Sequence, residues 1–273
     1  MPIRDATPVG EPCWADLWTR DLPRSERFYC ELFGWTARSS GEEYGGYVTF
    51  MKDGRDVAGM TAQMPDVTGP DAWCTYLAVT DVDETAQVAR TAGAQVIAEP
   101  MTVGELGRMA ILEDPSGAMI GLWQPLGFVG FRVVDEPGAP VWHELVTRAW
   151  TPAVTFYENV FGWDPVPLSD TAEFRYSTIG QLGEMVAGLY DAENTLPEGV
   201  PSHWQVYLGV ADVTDAAARV VELGGTVLRE PWDSDFGSFA QVADPTGAMF
   251  LLGGVPAVTS AARADTFQSD IET

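Results

Sequence analysis

The chain repeats itself. Residues 14–35, WADLWTRDLPRSERFYCELFGW, align with residues 142–163, WHELVTRAWTPAVTFYENVFGW, at a constant offset of 128. Trp14/Trp142, Leu17/Leu145, Thr19/Thr147, Arg20/Arg148, Phe28/Phe156, Tyr29/Tyr157 and the two FGW triplets ending at Trp35 and Trp163 are identical pairs. Downstream, WCTYLAVTDV at 73–82 answers WQVYLGVADV at 204–213, offset 131. ILEDPSGAM at 111–119 answers QVADPTGAM at 241–249, offset 130. An offset that drifts this little means that loops change length while one architecture is kept twice. The repeats are placed at 10–125 and 139–254. The turn-rich 126–138 reads as a linker, and 255–273, with little apolar periodicity, as a C-terminal extension.

Element order follows from local patterning. Residues 13–20 alternate as a strand does. Pro23 opens a helix over about 23–33 with Phe28 and Leu32 on its apolar face, and Gly34 closes it. Short strands are expected between 44 and 64. The pattern then restarts, with a strand at 73–79, a helix from the acidic DVDE turn to Gly93, and further short strands over 94–123. Each repeat therefore holds two strand–helix–strands modules, an α+β chain with mixed or antiparallel sheets. With 273 residues, each half is long enough to bury a core.

Charge removes several function classes. There are 40 acidic residues against 15 basic, a net charge of −25. Phosphate recognition needs clustered Lys and Arg, so nucleic acid and anionic membrane surfaces are expected not to be partners. No apolar run approaches the ~18 residues that span a bilayer. Three cysteines without CxxC spacing, Cys13, Cys30 and Cys74, suit a reducing cytoplasm, and the N-terminus lacks the apolar segment of a signal peptide.

The ordered motifs (Asp21-Leu22, Ser25, Phe28-Tyr29 and Gly34-Trp35, then Asp114-Pro115-x-Gly117 and Asp244-Pro245-x-Gly247) resemble the vicinal oxygen chelate superfamily. That superfamily includes glyoxalase I, extradiol dioxygenases and bleomycin-binding resistance proteins. The resemblance covers about 10–254 and implies two glyoxalase-like repeats. Each would build an open eight-stranded cup from two βαβββ modules, with the ligand inside. Read by itself, Asp-Pro-x-Gly is turn chemistry and sets register.

In metal-dependent members, as the resemblance has it, His, Glu or Gln side chains from the first and last strands of the modules hold a divalent ion. Carried over here, those positions are Trp14 and Trp142, Cys74 and Gln205, and Gly121 and Leu251. Indole, glycine and leucine do not ligate divalent ions, so no metal and no other cofactor is expected. The two histidines do not repair the set. His143 falls on the strand face opposite Trp142, as a surface or capping residue would, and His203 follows Pro201-Ser202 at a loop edge.

Alternation assigns what lines the cups instead. In repeat one these are Trp14, Asp16, Trp18, Cys74, Tyr76 and Trp123. In repeat two they are Trp142, Glu144, Gln205 and Tyr207. Repeat one is the more aromatic cup. Repeat two keeps the longer carboxylate and an amide. Such walls suit a small aromatic or polyketide-like molecule, held for tailoring in natural-product biosynthesis or for sequestration. A second reading is a lyase or isomerase with Asp16 or Glu144 as base and Tyr76 or Tyr207 as donor. A third is a non-catalytic interaction protein whose cups are filled. Arg20 and Arg148, four residues along the same strands, are available to neutralise the two carboxylates. Oligomerisation is left open.

Overall fold

The computed structural model describes residues 5–63, 70–171, 173–180 and 185–255; apart from Val255, the expected C-terminal extension lies outside them. Repeat one comprises β1 (Pro12–Thr19), α1 (Leu22–Phe33), β2 (Thr36–Ser39), β3 (Val48–Lys52), β4 (Arg55–Ala62), β5 (Ala72–Ala78), α2 (Val82–Thr91), β6 (Gln95–Val103), β7 (Gly107–Glu113) and β8 (Met119–Pro125). Repeat two follows with β9 (Pro140–Thr147), α3 (Trp150–Phe161), β10 (Pro165–Asp170), β11 (Arg175–Ile179), β12 (Ala187–Asp191), β13 (His203–Val210), α4 (Val213–Glu222), β14 (Thr226–Ser234), β15 (Gly237–Ala243) and β16 (Met249–Gly254). No helix among the described residues is long and apolar enough to cross a membrane.

Each repeat forms one mixed eight-stranded sheet, in the orders β2-β3-β4-β1-β5-β8-β7-β6 and β10-β11-β12-β9-β13-β16-β15-β14. The two βαβββ modules meet where β1 runs antiparallel to β5, and β9 to β13. Neither sheet closes, which gives the expected pair of open cups. The capping logic is local. Asp21 accepts a hydrogen bond from Arg24 N at the start of α1, and α1 and α3 end on Gly34 and Gly162 in the left-handed conformation.

The cores are not confined to single repeats. One buried cluster joins Leu17, Phe28 and Tyr29 of the first module to Val220, Val242 and Phe250 of the fourth. The other joins Leu77, Leu112 and Leu122 of the second module to Leu145, Phe156 and Leu189 of the third. The shared motifs fasten these crossed cores. Trp35 Nε1 donates to Gly138 O and Trp163 Nε1 to Gly10 O, each 2.8 Å. Tyr157 donates to Asp114 of the other repeat's DPxG turn at 2.9 Å, and Ser25 donates to Asp244 at 3.3 Å. Those aspartates also hold their own turns, by accepting from the backbone N–H groups of Ser116 and Ala118, and of Thr246 and Ala248.

Two local expectations change. His143 lies on the helix side as alternation requires, yet it is buried rather than superficial. Its Nδ1 sits 3.2 Å from Thr75 Oγ1 of the other repeat. The middle of the segment 126–138 packs into the core: Phe131, Val133 and Val134 are buried, and Phe131 N donates to Cys13 O, while Leu126 stays exposed.

Candidate functional site

The concave faces carry the same constellation twice. On β1, Asp16 is 4% exposed; on β9, Glu144 is 8% exposed. Directly opposite stand Cys74 on β5 and Gln205 on β13. Tyr76 OH donates to Asp16 Oδ2 at 3.1 Å, and Tyr207 OH donates to Glu144 Oε1 at 3.1 Å. A second phenol completes each group. Tyr47 OH donates to Asp16 at 3.4 Å while accepting from Trp14 Nε1 at 2.7 Å. In repeat two, Tyr176 OH donates to Glu144 and accepts from Trp142 Nε1 at 3.1 Å. Trp18 Nε1 adds a further donor to Asp16 at 2.8 Å; the corresponding residue in repeat two is Val146, so Glu144 lacks that partner.

Tyr47 and Tyr176 were not among the expected site residues. Two signals in the sequence mark them. Tyr-x-Thr recurs at offset 129, and so do Gly59 and Gly188. A Cβ on Gly59 would lie 1.8 Å from the Tyr47 hydroxyl, and one on Gly188 would lie 2.0 Å from that of Tyr176. Each glycine pairs with the carboxylate residue on the neighbouring strand. It is the missing side chain that lets a phenol reach the carboxyl.

Among the described residues no cation sits with either carboxyl. Arg20 pairs with Asp71 at 2.8 Å, and Arg148 donates to backbone carbonyls of Val200 and Leu196. The sequence left neutralisation by these arginines open; they do not neutralise the carboxyls. Burial therefore raises both groups, and the hydrogen bonds offset it only in part: Asp16 is pushed up to about 7 and Glu144 to about 7. The facing phenols Tyr47, Tyr76, Tyr176 and Tyr207 are raised above their ordinary range by burial and by the nearby carboxyl, so they remain donors. A carboxyl that titrates near neutrality and holds two phenolic donors can accept or deliver a proton without a metal.

The residues present do not fit a divalent ion. The indoles at the first-strand positions are committed to Tyr47 and Tyr176. The Gly121 position is occupied by the ring of Tyr76, which a Cβ there would meet at 2.1 Å. Among the described residues no group of three His, Cys, Asp or Glu side chains converges.

The two cups differ in what fills them. In repeat one the chain turns back after β8 and lays Phe128 on Trp14 edge-on at 4.8 Å and on Trp123 at 5.9 Å. Trp123 Nε1 donates to Phe128 O, and Phe131 covers Trp14 at 5.3 Å. Trp14 is left 4% exposed. In repeat two the residue corresponding to Trp123 is Gly253, and Trp142 and Gln205 are only half-buried. His203 shares this face at the start of β13, its Nε2 3.1 Å from Gln205 Nε2, rather than lying in a loop. Burial lowers its pKa, which favours the neutral imidazole. Phe174 stacks on Tyr176 at 5.6 Å, and Phe236, from the β14–β15 turn, stacks on Tyr176 at 6.4 Å. Phe174 and Phe236 remain 38% and 50% exposed.

Two open eight-stranded cups from four βαβββ modules, each centred on paired first strands, define a class of protein. The chain belongs to the Glyoxalase/Bleomycin resistance protein/Dioxygenase superfamily, whose family model matches residues 13–122 and 141–252. Among its relatives, the Anthracycline biosynthesis protein DnrV of Streptomyces peucetius is 36% identical over 273 residues, covering 93% of this chain and 98% of DnrV. CFP32 of Mycobacterium tuberculosis, provisionally named a glyoxylase, is 36% identical over 257 residues, covering 92% and 97%. In fold, the chain is similar to the Mn(II)-bound glyoxalase from Novosphingobium aromaticivorans (TM-score 0.63, 16% identity, 92% and 85% covered). It is equally similar to the 2,3-dioxygenase LapB of Pseudomonas sp. KL28 (TM-score 0.63, 16% identity, 92% and 93% covered).

Proposed function

We propose that this is a metal-independent small-molecule protein of the superfamily. It binds an aromatic or polyketide-like compound in the cup of repeat two and serves a tailoring step or sequestration in natural-product metabolism. The observation that carries this reading is a buried carboxyl held between two phenols in each cup, Asp16 and Glu144, with no cation beside it among the described residues. Repeat two is favoured because Gly253 stands where repeat one has Trp123, and Trp142 and Gln205 are half-buried, whereas Phe128 and Phe131 lie on the wall of repeat one. Full-length similarity to proteins named for anthracycline biosynthesis, DnrV and DauV, supports a polycyclic aromatic ligand.

Within that cup Glu144 is the acid–base group, Tyr207 and Tyr176 are the donors that orient it, and Trp142 and Gln205 contact the ligand. Asp16, Tyr47 and Tyr76 are the counterpart set, enclosed beneath Trp14, Trp18, Cys74 and Trp123. The test is Glu144→Gln on the chelator-treated protein, with binding and turnover of an aromatic polyketide intermediate measured separately. A tailoring enzyme retains binding and loses turnover by at least about a hundredfold, the usual scale of a lost general base. A sequestering protein binds in both forms and turns over in neither. Absence of binding by the wild type refutes the reading.

A further inference from the structure

The second cup has a polarity that the first lacks. Arg229, on β14, is exposed, and its guanidinium carbon stands 3.8 Å from the centroid of Trp232. Trp232 touches Phe239 at 5.8 Å, and Phe239 meets Tyr207 edge-on at 5.6 Å. Tyr207 in turn holds Glu144. One aromatic face thus runs from a carboxyl at depth to a guanidinium at the rim.

Two independent observations single out this arginine. Acidic residues outnumber basic ones 40 to 15, and other surface guanidiniums are drawn into ion pairs, Arg175 with Asp170 and Arg219 with Glu31 among them. Among the described residues Arg229, like Arg24 and Arg27 on α1, forms no ion pair; unlike them, its cationic group rests on an indole face, which leaves its N–H donors available. The second observation is the comparison between the repeats. Arg229 pairs across the ladder with Gln241 where Ala98 pairs with Ile111, and Trp232 pairs with Phe239 where Met101 pairs with Met109. The filled cup has an alanine and a methionine at these places. The open cup has a cation and an indole.

We propose that Arg229 is the anion anchor of the second cup. Its ligand is then a planar fused-ring aromatic acid, carrying a carboxylate or an acidic phenol. The ring lies along Tyr207, Phe239 and Trp232, and the anionic group is received by the guanidinium. A strongly acidic protein repels anions at long range, so a cation placed at the rim decides which end of the ligand faces outward. This rests on the assignment of the open cup as the ligand site.

The probes are anthraquinone-2-carboxylate and its uncharged carboxamide, titrated into the full chain with tryptophan fluorescence as readout. The wild type is expected to bind the carboxylate at least about tenfold more tightly than the amide, the lower end for a charge-assisted contact. Arg229→Gln is expected to bring that ratio close to one while leaving the amide affinity unchanged. Arg27→Gln, an exposed arginine on α1, is expected to keep the ratio. Equal binding of the two probes by the wild type, or a ratio that survives Arg229→Gln, overturns the anion anchor and leaves the aromatic cup standing. Binding of neither probe overturns both.

Discussion

Replacing Asp16 with Asn tests the claim that the site carboxyl is neutral because it is buried without a cation. Asp16 is fully enclosed, and burial moves it from 3.8 to about 7; that difference corresponds to about 4 kcal/mol between its two protonation states. The folded state therefore holds a proton that the unfolded chain has lost. This contribution to stability is complete below about pH 4 and disappears as pH rises through about 7, at about 1.4 kcal/mol per pH unit. Asn in its place does not titrate. Urea unfolding at pH 5, 6, 7 and 8, followed by tryptophan fluorescence, should show the wild type losing about 3 kcal/mol relative to Asp16→Asn between pH 5 and pH 8. Arg20 cannot flatten the profile, since it is bound to Asp71. A difference that does not vary with pH, or that turns in favour of the wild type as pH rises, refutes the reasoning. It would mean that the carboxylate is ionised and stabilised in the fold.

Trp142→Ala should weaken an aromatic ligand by about 1–3 kcal/mol in a fluorescence titration, the scale of an aromatic anchor. Trp14→Ala should leave affinity unchanged and lower unfolding stability by about 3–5 kcal/mol, because Trp14 is buried against Phe128 and Phe131. Tyr157→Phe removes a buried hydroxyl that donates to Asp114 and accepts from Trp204, and should cost about 1–3 kcal/mol in thermal or urea unfolding.

The features legible in the sequence are those that local rules determine. The offset near 130 reports the duplication, the Gly34 and Gly162 stops report the helix ends, and alternation places Asp16 and Glu144 on the same face as Tyr76 and Tyr207. What escaped depends on pairings distant in sequence. Tyr47 and Tyr176 arrive from hairpins whose place at the carboxyl is visible only once Gly59 is set beside Asp16 and Gly188 beside Glu144. The difference between the cups escaped for the same reason. Phe128 belongs to a segment whose Gly and Pro read as a linker, and its return onto Trp14 and Trp123 is a tertiary contact. The crossed cores were equally hidden, because the apolar faces of α1 and α4 have the same periodicity whichever sheet they cover. The arginines show a limit of proximity along a strand. Arg20 and Arg148 lie four residues from the carboxyls, yet Asp71 and the carbonyls of 193–200 hold them elsewhere.

The central claim is that one cup of this chain binds an aromatic ligand without a metal. Isothermal titration of the chelator-treated full chain with an anthracycline aglycone tests it most directly, run with and without added Mn(II), Zn(II) or Ni(II). One ligand bound per chain, with an affinity that the metals do not change, is the predicted result. Two ligands per chain would show that Phe128 does not close the first cup, and binding that appears only with metal would contradict the account.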